Sequence, residues 1–233
     1  MNTPFVIFDF DGVIADTERL HLAALQEALI PRGVTLGVEE YESTYLGSTD
    51  HDLLIALARD RSLPWSAADI ELIVNDKGLV FGELLTRGPV VFPSAIRCID
   101  RLADLGATLA IASGAFRDEI ERILDSADLR RRFPVIVGSG ECAAGKPAPD
   151  PFLEAARRAG LPANAAVVIE DTPWGLTSAH AAGCATIAVT HTYPRATLAA
   201  HVVIDSLDEV TAALLRSVLS SRREVSSINL GGP

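Results

Sequence analysis

Six short apolar runs set the tightest limit on what this chain can fold into: Phe5–Phe10, Thr108–Ala112, Val135–Val137, Ala166–Ile169, Ala185–Val189 and Val202–Ile204. Each is nearly continuous rather than alternating, the pattern of strands covered on both faces in a parallel sheet. Segments with helical spacing separate most of them. Ser94–Leu105 carries Ile96, Ile99, Leu102 and Leu105 near one face, and Gly106 stops it. Phe116–Asp125 places Ile120, Ile123 and Leu124 together, Pro151–Ala159 ends at Gly160, and Gly175–Ala182 ends at Gly183. This alternation predicts an α/β fold, a three-layer Rossmann-like core built on a parallel sheet.

One interval breaks the alternation. From Thr17 to Gly88 no convincing strand occurs, whereas Glu18–Leu29, Asp50–Arg61 and Ala67–Leu85 read as helices, with breakers at Pro31–Gly33, Gly47 and Pro64. A block of roughly seventy residues is too long for an ordinary loop. The expectation is an inserted all-helical cap domain over 17–88, placed after the first strand and over the sheet's carboxyl edge. Residues 1–16 and 89–216 then form the core. The segment 217–233 is rich in Ser and Arg, ends Gly-Gly-Pro, and is expected to be a flexible tail.

Charge narrows the partners. Lys and Arg number 20 against 31 Asp and Glu, a formal net charge of −11. Nucleic-acid binding leans on cations that neutralise phosphates, so no nucleic-acid partner is expected. A phosphate-handling site in such a chain must place its few cations locally. No stretch approaches the roughly twenty apolar residues that cross a bilayer, so no membrane partner is expected. Phe5–Phe10 reads as a first strand rather than a signal peptide. Cys98, Cys142 and Cys184 lie far apart with no CxxC spacing, which suggests reduced thiols and a cytoplasmic setting. The chain is expected to act as a monomer or weak dimer.

The chemistry-bearing residues gather at strand ends. The first strand ends in Asp9-Phe10-Asp11-Gly12, where an open α/β sheet places its site. Taken alone, Asp11-Gly12 is also a good turn. The second strand ends in Ser113-Gly114, whose hydroxyl and amide can hold phosphate oxygens or merely cap a helix. Lys146, in Gly145-Lys146-Pro147, offers one positive charge at a fixed place or a solvated surface lysine. The fourth strand ends in Glu170-Asp171 ahead of Gly175, an oxygen-rich site of the kind magnesium prefers, or a polar loop with a capping aspartate. All four in one order, each at its own strand end, are hard to obtain by chance.

Their chemistry is coherent. A carboxylate can attack phosphorus and split one hard displacement into two easier ones through an aspartyl-phosphate. Two anions must meet, so a metal ion has to offset their repulsion. A second carboxylate two residues on can protonate the leaving alkoxide and then deprotonate the attacking water. Serine, amide and lysine would stabilise charge on the equatorial oxygens.

The chain resembles the haloacid dehalogenase superfamily, in particular its helical-cap branch that includes β-phosphoglucomutase and sugar-phosphate phosphatases. The matching residues are Asp9-Phe10-Asp11-Gly12-Val13-Ile14-Ala15-Asp16-Thr17, Ala112-Ser113-Gly114-Ala115, Gly145-Lys146-Pro147-Ala148-Pro149-Asp150 and Val168-Ile169-Glu170-Asp171-Thr172. The likeness extends to about Leu215. It implies Asp9 as nucleophile and Asp11 as general acid/base. It implies magnesium on Asp9, the Asp11 backbone carbonyl and Asp171, with Glu170 an outer partner or alternative ligand. Gly12, Ser113, Gly114 and Lys146 would grip the transferring phosphate. An aspartate at position 11 favours phosphoryl transfer over dehalogenation, because it supplies the proton an alkoxide needs. The expected function is thus a magnesium-dependent phosphatase acting on a small phosphorylated metabolite, a sugar phosphate by this likeness. The alternative is a β-phosphoglucomutase-type phosphomutase.

Substrate choice falls to the cap. His21 stands where mutase-like relatives carry a histidine, or is a partly exposed histidine on an amphipathic helix; Lys77 stands where relatives often have a lysine facing the site, or is a surface lysine. Arg117, one turn into the helix after Ser113, could touch substrate or pair on the surface. The mutase branch has a cap arginine that grips the non-reacting phosphate. Here the loop reads Gly47-Ser48-Thr49-Asp50-His51-Asp52, without arginine and with two aspartates that would repel a second phosphate. That departure favours a phosphatase.

Overall fold

A computed structural model describes residues 3–46, 48–88 and 90–228, with 222–228 as backbone alone. The chain divides into two compact units, one formed by Met1–Asp16 with Val90–Pro233 and the other by Thr17–Pro89.

The first unit is an α/β fold. Its strands are β1 (Phe5–Phe8), β2 (Thr108–Ala112), β3 (Val135–Val137), β4 (Ala166–Glu170), β5 (Ala185–Val189) and β6 (Val202–Ile204). They form one sheet in the order β3-β2-β1-β4-β5-β6, and every pairing is parallel. The strands are apolar throughout because both faces are covered. On one face Phe5, Ile7, Ala110, Ala112, Val135, Val137 and Val168 pack with Phe152, Ala155 and Ala179. The residues between them in the strands, Val6, Phe8, Leu109, Ile111, Val167 and Ile169, are equally buried.

β1 ends two residues earlier than its apolar run. Asp9 N still donates to Ile169 O at 2.9 Å, but the Phe10 carbonyl then accepts from Ile14 N at 2.8 Å and Ala15 N at 3.0 Å, which turns the chain. Gly12 in this turn has φ +73, and its N donates to Ala15 O at 2.8 Å. The chain leaves the unit after Asp16 and returns beside it, with Asp16 N donating to Val90 O at 2.8 Å and Phe92 N to Ile14 O at 2.9 Å. An insertion whose two ends lie side by side leaves the sheet order undisturbed.

The second unit is helical. It holds α1 (Glu18–Leu29), a short α2 (Val38–Glu40) that widens over Tyr41–Tyr45, α3 (Asp50–Asp60) and α4 (Ala67–Leu84). Ser66 caps α4 with reciprocal bonds to Asp69. Its core is separate: Leu22, Leu25, Leu29, Leu53, Leu54, Leu57, Ile70 and Ile73 pack together. The first unit's helices are α5 (Pro93–Asp104), α6 (Arg117–Ser126), α7 (Asp150–Ala159), α8 (Pro173–Ala181) and α9 (Ala212–Ile228). α9 runs through much of the segment expected to be a tail, and residues 229–233 lie outside the described residues.

Candidate active site

The sheet register brings the strand-end residues together. β1 lies between β2 and β4, with Phe8 level with Ile111 on one side and Ile169 on the other. The next residues, Asp9, Ala112 and Glu170, therefore emerge side by side at the carboxyl edge. Lys146 reaches the same point from the loop between β3 and α7. Its Nζ donates to Asp9 Oδ1 at 2.6 Å and to Glu170 Oε1 at 2.8 Å, and lies 5.0 Å from the Phe152 ring centroid.

Glu170 is wholly buried, and both of its oxygens are committed. Oε1 takes the lysine, while Oε2 accepts from Asp171 N at 2.9 Å and from Thr172 N and Oγ1, each at 2.8 Å. Thr172 in turn caps α8, accepting from Gly175 N. A Cβ at Gly175 would lie 1.7 Å from Glu170 Oε1, so only glycine lets this carboxylate sit here. The same holds at Gly12, where a Cβ would come within 1.9 Å of Asp171 Oδ2 and 2.6 Å of Thr192 Oγ1. Gly12 is thus required by close approach as well as by its positive φ.

Asp171 is buried, and its Oδ1 has no hydrogen-bond partner among the described residues. Asp9, Glu170 and Asp171 each offer an oxygen within 4.8 Å of the others. Three carboxylates face one ammonium in a largely buried place, and their electrostatics follow. Burial, with Glu170 and Asp11 adding to it, raises the Asp9 carboxyl to about 7 against the opposing pull of Lys146. Burial, then Glu170 and Asp9, push Asp171 well above the carboxylate range. Burial works against the charge on Lys146, but Asp9 and Glu170 outweigh it and raise its pKa. The ammonium is secure, and the surplus negative charge strains the acids. An orphaned oxygen, an all-oxygen donor set and uncompensated charge fit a hard divalent cation. These groups could hold a metal ion.

Ser113 and Asp11 complete the edge. Ser113 is buried, its Oγ lies 3.5 Å from Asp11 Oδ2, and it accepts from Ala115 N at 3.0 Å. Gly114 is exposed, and a Cβ added there would meet nothing within 4 Å. Of the residues expected at this edge, Asp9, Asp11, Gly12, Ser113, Gly114 and Asp171 lie just past the ends of their strands, Glu170 is the last residue of β4, and Lys146 comes from the loop after β3. Arg117 does not join them. Phe116 is extended, so α6 begins at Arg117 rather than a turn earlier. The Arg117 guanidinium is taken by Glu141 through Nε at 2.5 Å and Nη2 at 2.6 Å, and by Glu121 at 3.3 Å. Pairing, the plainer of its two readings, is what the structure gives it.

Sequence reasoning missed the residues that follow β5. After β5 the chain reads Thr190-His191-Thr192. Thr192 hydrogen-bonds Asp171. His191 Nδ1 lies 2.8 Å from Gly12 O and so carries the proton it donates there, while its ring packs on Phe92 at 4.4 Å. A polar cluster at one more strand end was the available signal. Trp174 meets Tyr193 edge to face at 5.4 Å.

The helical unit has its own polar cluster. Lys77 is buried, with its side chain only 6% exposed, which corrects the surface-lysine alternative. Its Nζ lies 2.7 Å from His21 Nδ1 and donates to Asp50 Oδ2 at 2.9 Å. His21 stacks on Phe81 at 4.3 Å, with Lys77 Nζ 5.2 Å from that ring. His21 and Lys77 are therefore neighbours. Asp50, read from sequence as one of two repelling charges, is paired instead. Thr49 caps α3 and bonds Asp52, and Gly47 lies outside the described residues.

The family model for haloacid dehalogenase-like hydrolases matches residues 6–189. CbbY from Rhodobacter capsulatus is 32% identical over 203 residues, covering 84% of this chain and 88% of its own. A probable pseudouridine-5'-phosphatase from Drosophila melanogaster is 32% identical over 193 residues, covering 78% and 80%. A crystal structure of mutant CbbY from Rhodobacter sphaeroides with xylulose-(1,5)bisphosphate superposes with a TM-score of 0.81 at 26% identity, covering 92% and 99%. The chain belongs to the haloacid dehalogenase-like hydrolases.

Proposed function

We propose that this member of the hydrolase family is a magnesium-dependent phosphatase of small sugar phosphates, working through an aspartyl-phosphate on Asp9. It is a phosphoric monoester hydrolase. The observation that carries the reading is Asp9 itself, a buried carboxylate held at the end of β1 by a lysine and crowded by other carboxylates. Nothing in the fold needs such a strained arrangement, and an anion-handling site does.

In the first step an Asp9 oxygen attacks phosphorus, a P–O bond to Asp9 forms, and the ester P–O bond breaks. Asp11 gives its proton to the departing alkoxide. In the second step Asp11 takes a proton from water, which attacks the phosphoaspartate and releases inorganic phosphate. Gly12, Ser113, Gly114 and Lys146 hold the transferring oxygens in place. Magnesium would be held by Asp9, the Asp11 carbonyl and Asp171, and would supply the positive charge that lets a carboxylate approach a phosphate. Glu170 would then act from behind, since its oxygens are spent on Lys146, Asp171 and Thr172. In the helical unit, His21 and Lys77 are candidates for substrate contact.

A phosphomutase is the alternative, and one observation keeps it in view. Lys77 cancels Asp50, so the repulsion expected from the Asp50–Asp52 segment is reduced. Hydrolysis remains favoured, because relatives of this size carry phosphatase names and this segment has no arginine to retain a second phosphate. A phosphate-release screen over sugar monophosphates, xylulose 1,5-bisphosphate and pseudouridine 5'-phosphate tests the reading. Stoichiometric phosphate release without a bisphosphate primer is expected. Glucose 6-phosphate forming from β-glucose 1-phosphate faster than phosphate appears would make the mutase the better assignment.

A further inference from the structure

The mechanism leaves unused a dense ion cluster around Glu141, which sits in the loop between β3 and Lys146. Glu141 Oε1 accepts from Arg117 Nε at 2.5 Å, and Oε2 accepts from Arg117 Nη2 at 2.6 Å and Arg158 Nη1 at 2.5 Å. Both guanidinium groups also donate to Ile136 O in β3, that of Arg158 at 3.0 Å. Arg158 Nη2 lies 3.4 Å from the Glu141 carbonyl, and its Nε is held by Glu154 at 2.7 Å. One carboxylate thus ties α6, β3 and α7 to a single loop residue.

That loop is fastened on both sides of Glu141. Ser113 N donates to Val137 O at 3.0 Å and Ser139 N to Ala115 O at 2.8 Å, which continues the β2–β3 pairing into the two loops. Gly138 lies so flush that a Cβ there would be 2.8 Å from Arg117 N. Beyond Lys146, Ser178 Oγ donates to Ala148 O at 2.5 Å. Only the stretch from Glu141 to Gly145 spans the gap, and Ala143, Ala144 and Gly145 are exposed and small. A lysine at the end of such a stretch can be aimed only if the stretch starts from a fixed point.

We propose that Glu141 is a positioning residue: clasped by Arg117 and Arg158, it sets the start of the loop that delivers Lys146 to Asp9, and locks that loop to the one bearing Ser113. This deepens the phosphatase reading and rests on the role given there to Lys146. The clasp explains why Arg117, directly after the Ser113 loop, turns away from the carboxyl edge. Its work is to hold the lysine's loop.

A double-mutant cycle tests it, with p-nitrophenyl phosphate as probe. Glu141→Gln keeps the shape and loses the charge. It is expected to lower kcat by about tenfold or more while changing KM by less than about threefold, since a misplaced charge costs mostly at the transition state. Glu141→Asp should restore part of that loss. In a Lys146→Met background, already slow, Glu141→Gln should cost less than about twofold, although the loss in melting temperature should be the same in both backgrounds. Should Glu141→Gln fail to fold, Arg158→Lys, which keeps the charge and loses the fork, replaces it in the same cycle. Equal fold-losses in both backgrounds, or no loss of kcat, would overturn the inference and leave the phosphatase reading standing. Wild-type activity in Lys146→Met would overturn the role of Lys146, and the inference with it.

Discussion

Asp9→Asn should make the enzyme inactive and, without metal, more stable. The amide is nearly isosteric and still accepts from Lys146, but it is a poor nucleophile and carries no charge. Asp9 is only 6% exposed, and burial raises its carboxyl from 3.8 to about 7. A shift of about three units at roughly 1.36 kcal/mol each puts a ceiling near 4 kcal/mol on the cost of ionising it in the fold. Relaxation and water entry lower that ceiling, so a gain of about 1–3 kcal/mol is expected, or roughly 2–10 °C in melting temperature. The sign fixes the pH window. The folded pKa lies above the unfolded one, so the stability that protonated Asp9 contributes is complete below pH about 4 and gone above about 7. The wild type should therefore fall behind Asp9→Asn between those values and stay behind above them. Calorimetry of both proteins in chelator from pH 5 to 9 reads this directly. Magnesium at a hundredfold excess over its Kd stabilises by about 2.7 kcal/mol, more in the wild type, which should close or reverse the gap. Equal melting temperatures at pH 8 in chelator would refute the electrostatic argument. A tenth of wild-type turnover in Asp9→Asn would sink the nucleophile.

Chelation should stop phosphate release and magnesium restore it, while calcium should fail, because it takes more ligands at longer distances; full turnover in excess chelator would contradict the metal role. Gly12→Ala should cut activity by more than about tenfold and lower the melting temperature, since its Cβ would meet Asp171 at 1.9 Å and the residue keeps a φ of +73. Gly175→Ala must move Glu170 off its four donors and should destabilise by about 1–3 kcal/mol, read by denaturant melts. Lys77→Met removes the ammonium between His21 and Asp50 and should destabilise the helical unit by about 1–3 kcal/mol, below the cost for a fully buried pair because Asp50 is one-third exposed. Hydrogen exchange of α1 and α4 amides measures it.

The sheet was readable because parallel strands covered on both faces have no alternative composition. Thr108–Ala112, Val135–Val137, Ala185–Val189 and Val202–Ile204 match their strands residue for residue. The first run misled by two residues, because Phe10 is buried like a strand residue while its carbonyl closes a turn. Burial and strand pairing are different quantities, and apolar runs report only the first. The carboxyl-edge constellation was equally readable, and for a geometric reason. Parallel strands in register end together, so residues just past β2, β1 and β4 have to be neighbours whatever their side chains do.

Pairing among charges follows another logic. A net charge of −11 and a list of acids say nothing about which acid each cation meets. Asp50 counted as repulsive until α4 brought Lys77 to 2.9 Å, a contact across 27 residues. Arg117 looked available to substrate because it follows Ser113, yet Glu141, 24 residues on, takes it first. In both cases the helix phase that selects the partner depends on packing between elements that a linear pattern does not fix. The same reasoning gives the site its asymmetry. Lys146 is shared between Asp9 and Glu170, while Asp171 Oδ1 has no hydrogen-bond partner among the described residues. Glu170 is repaid by two amides and a hydroxyl as well, so the deficit falls on Asp9 and Asp171, the two acids whose pKa values rise. A cation placed between those two would relieve both at once, and would leave Glu170 holding the lysine.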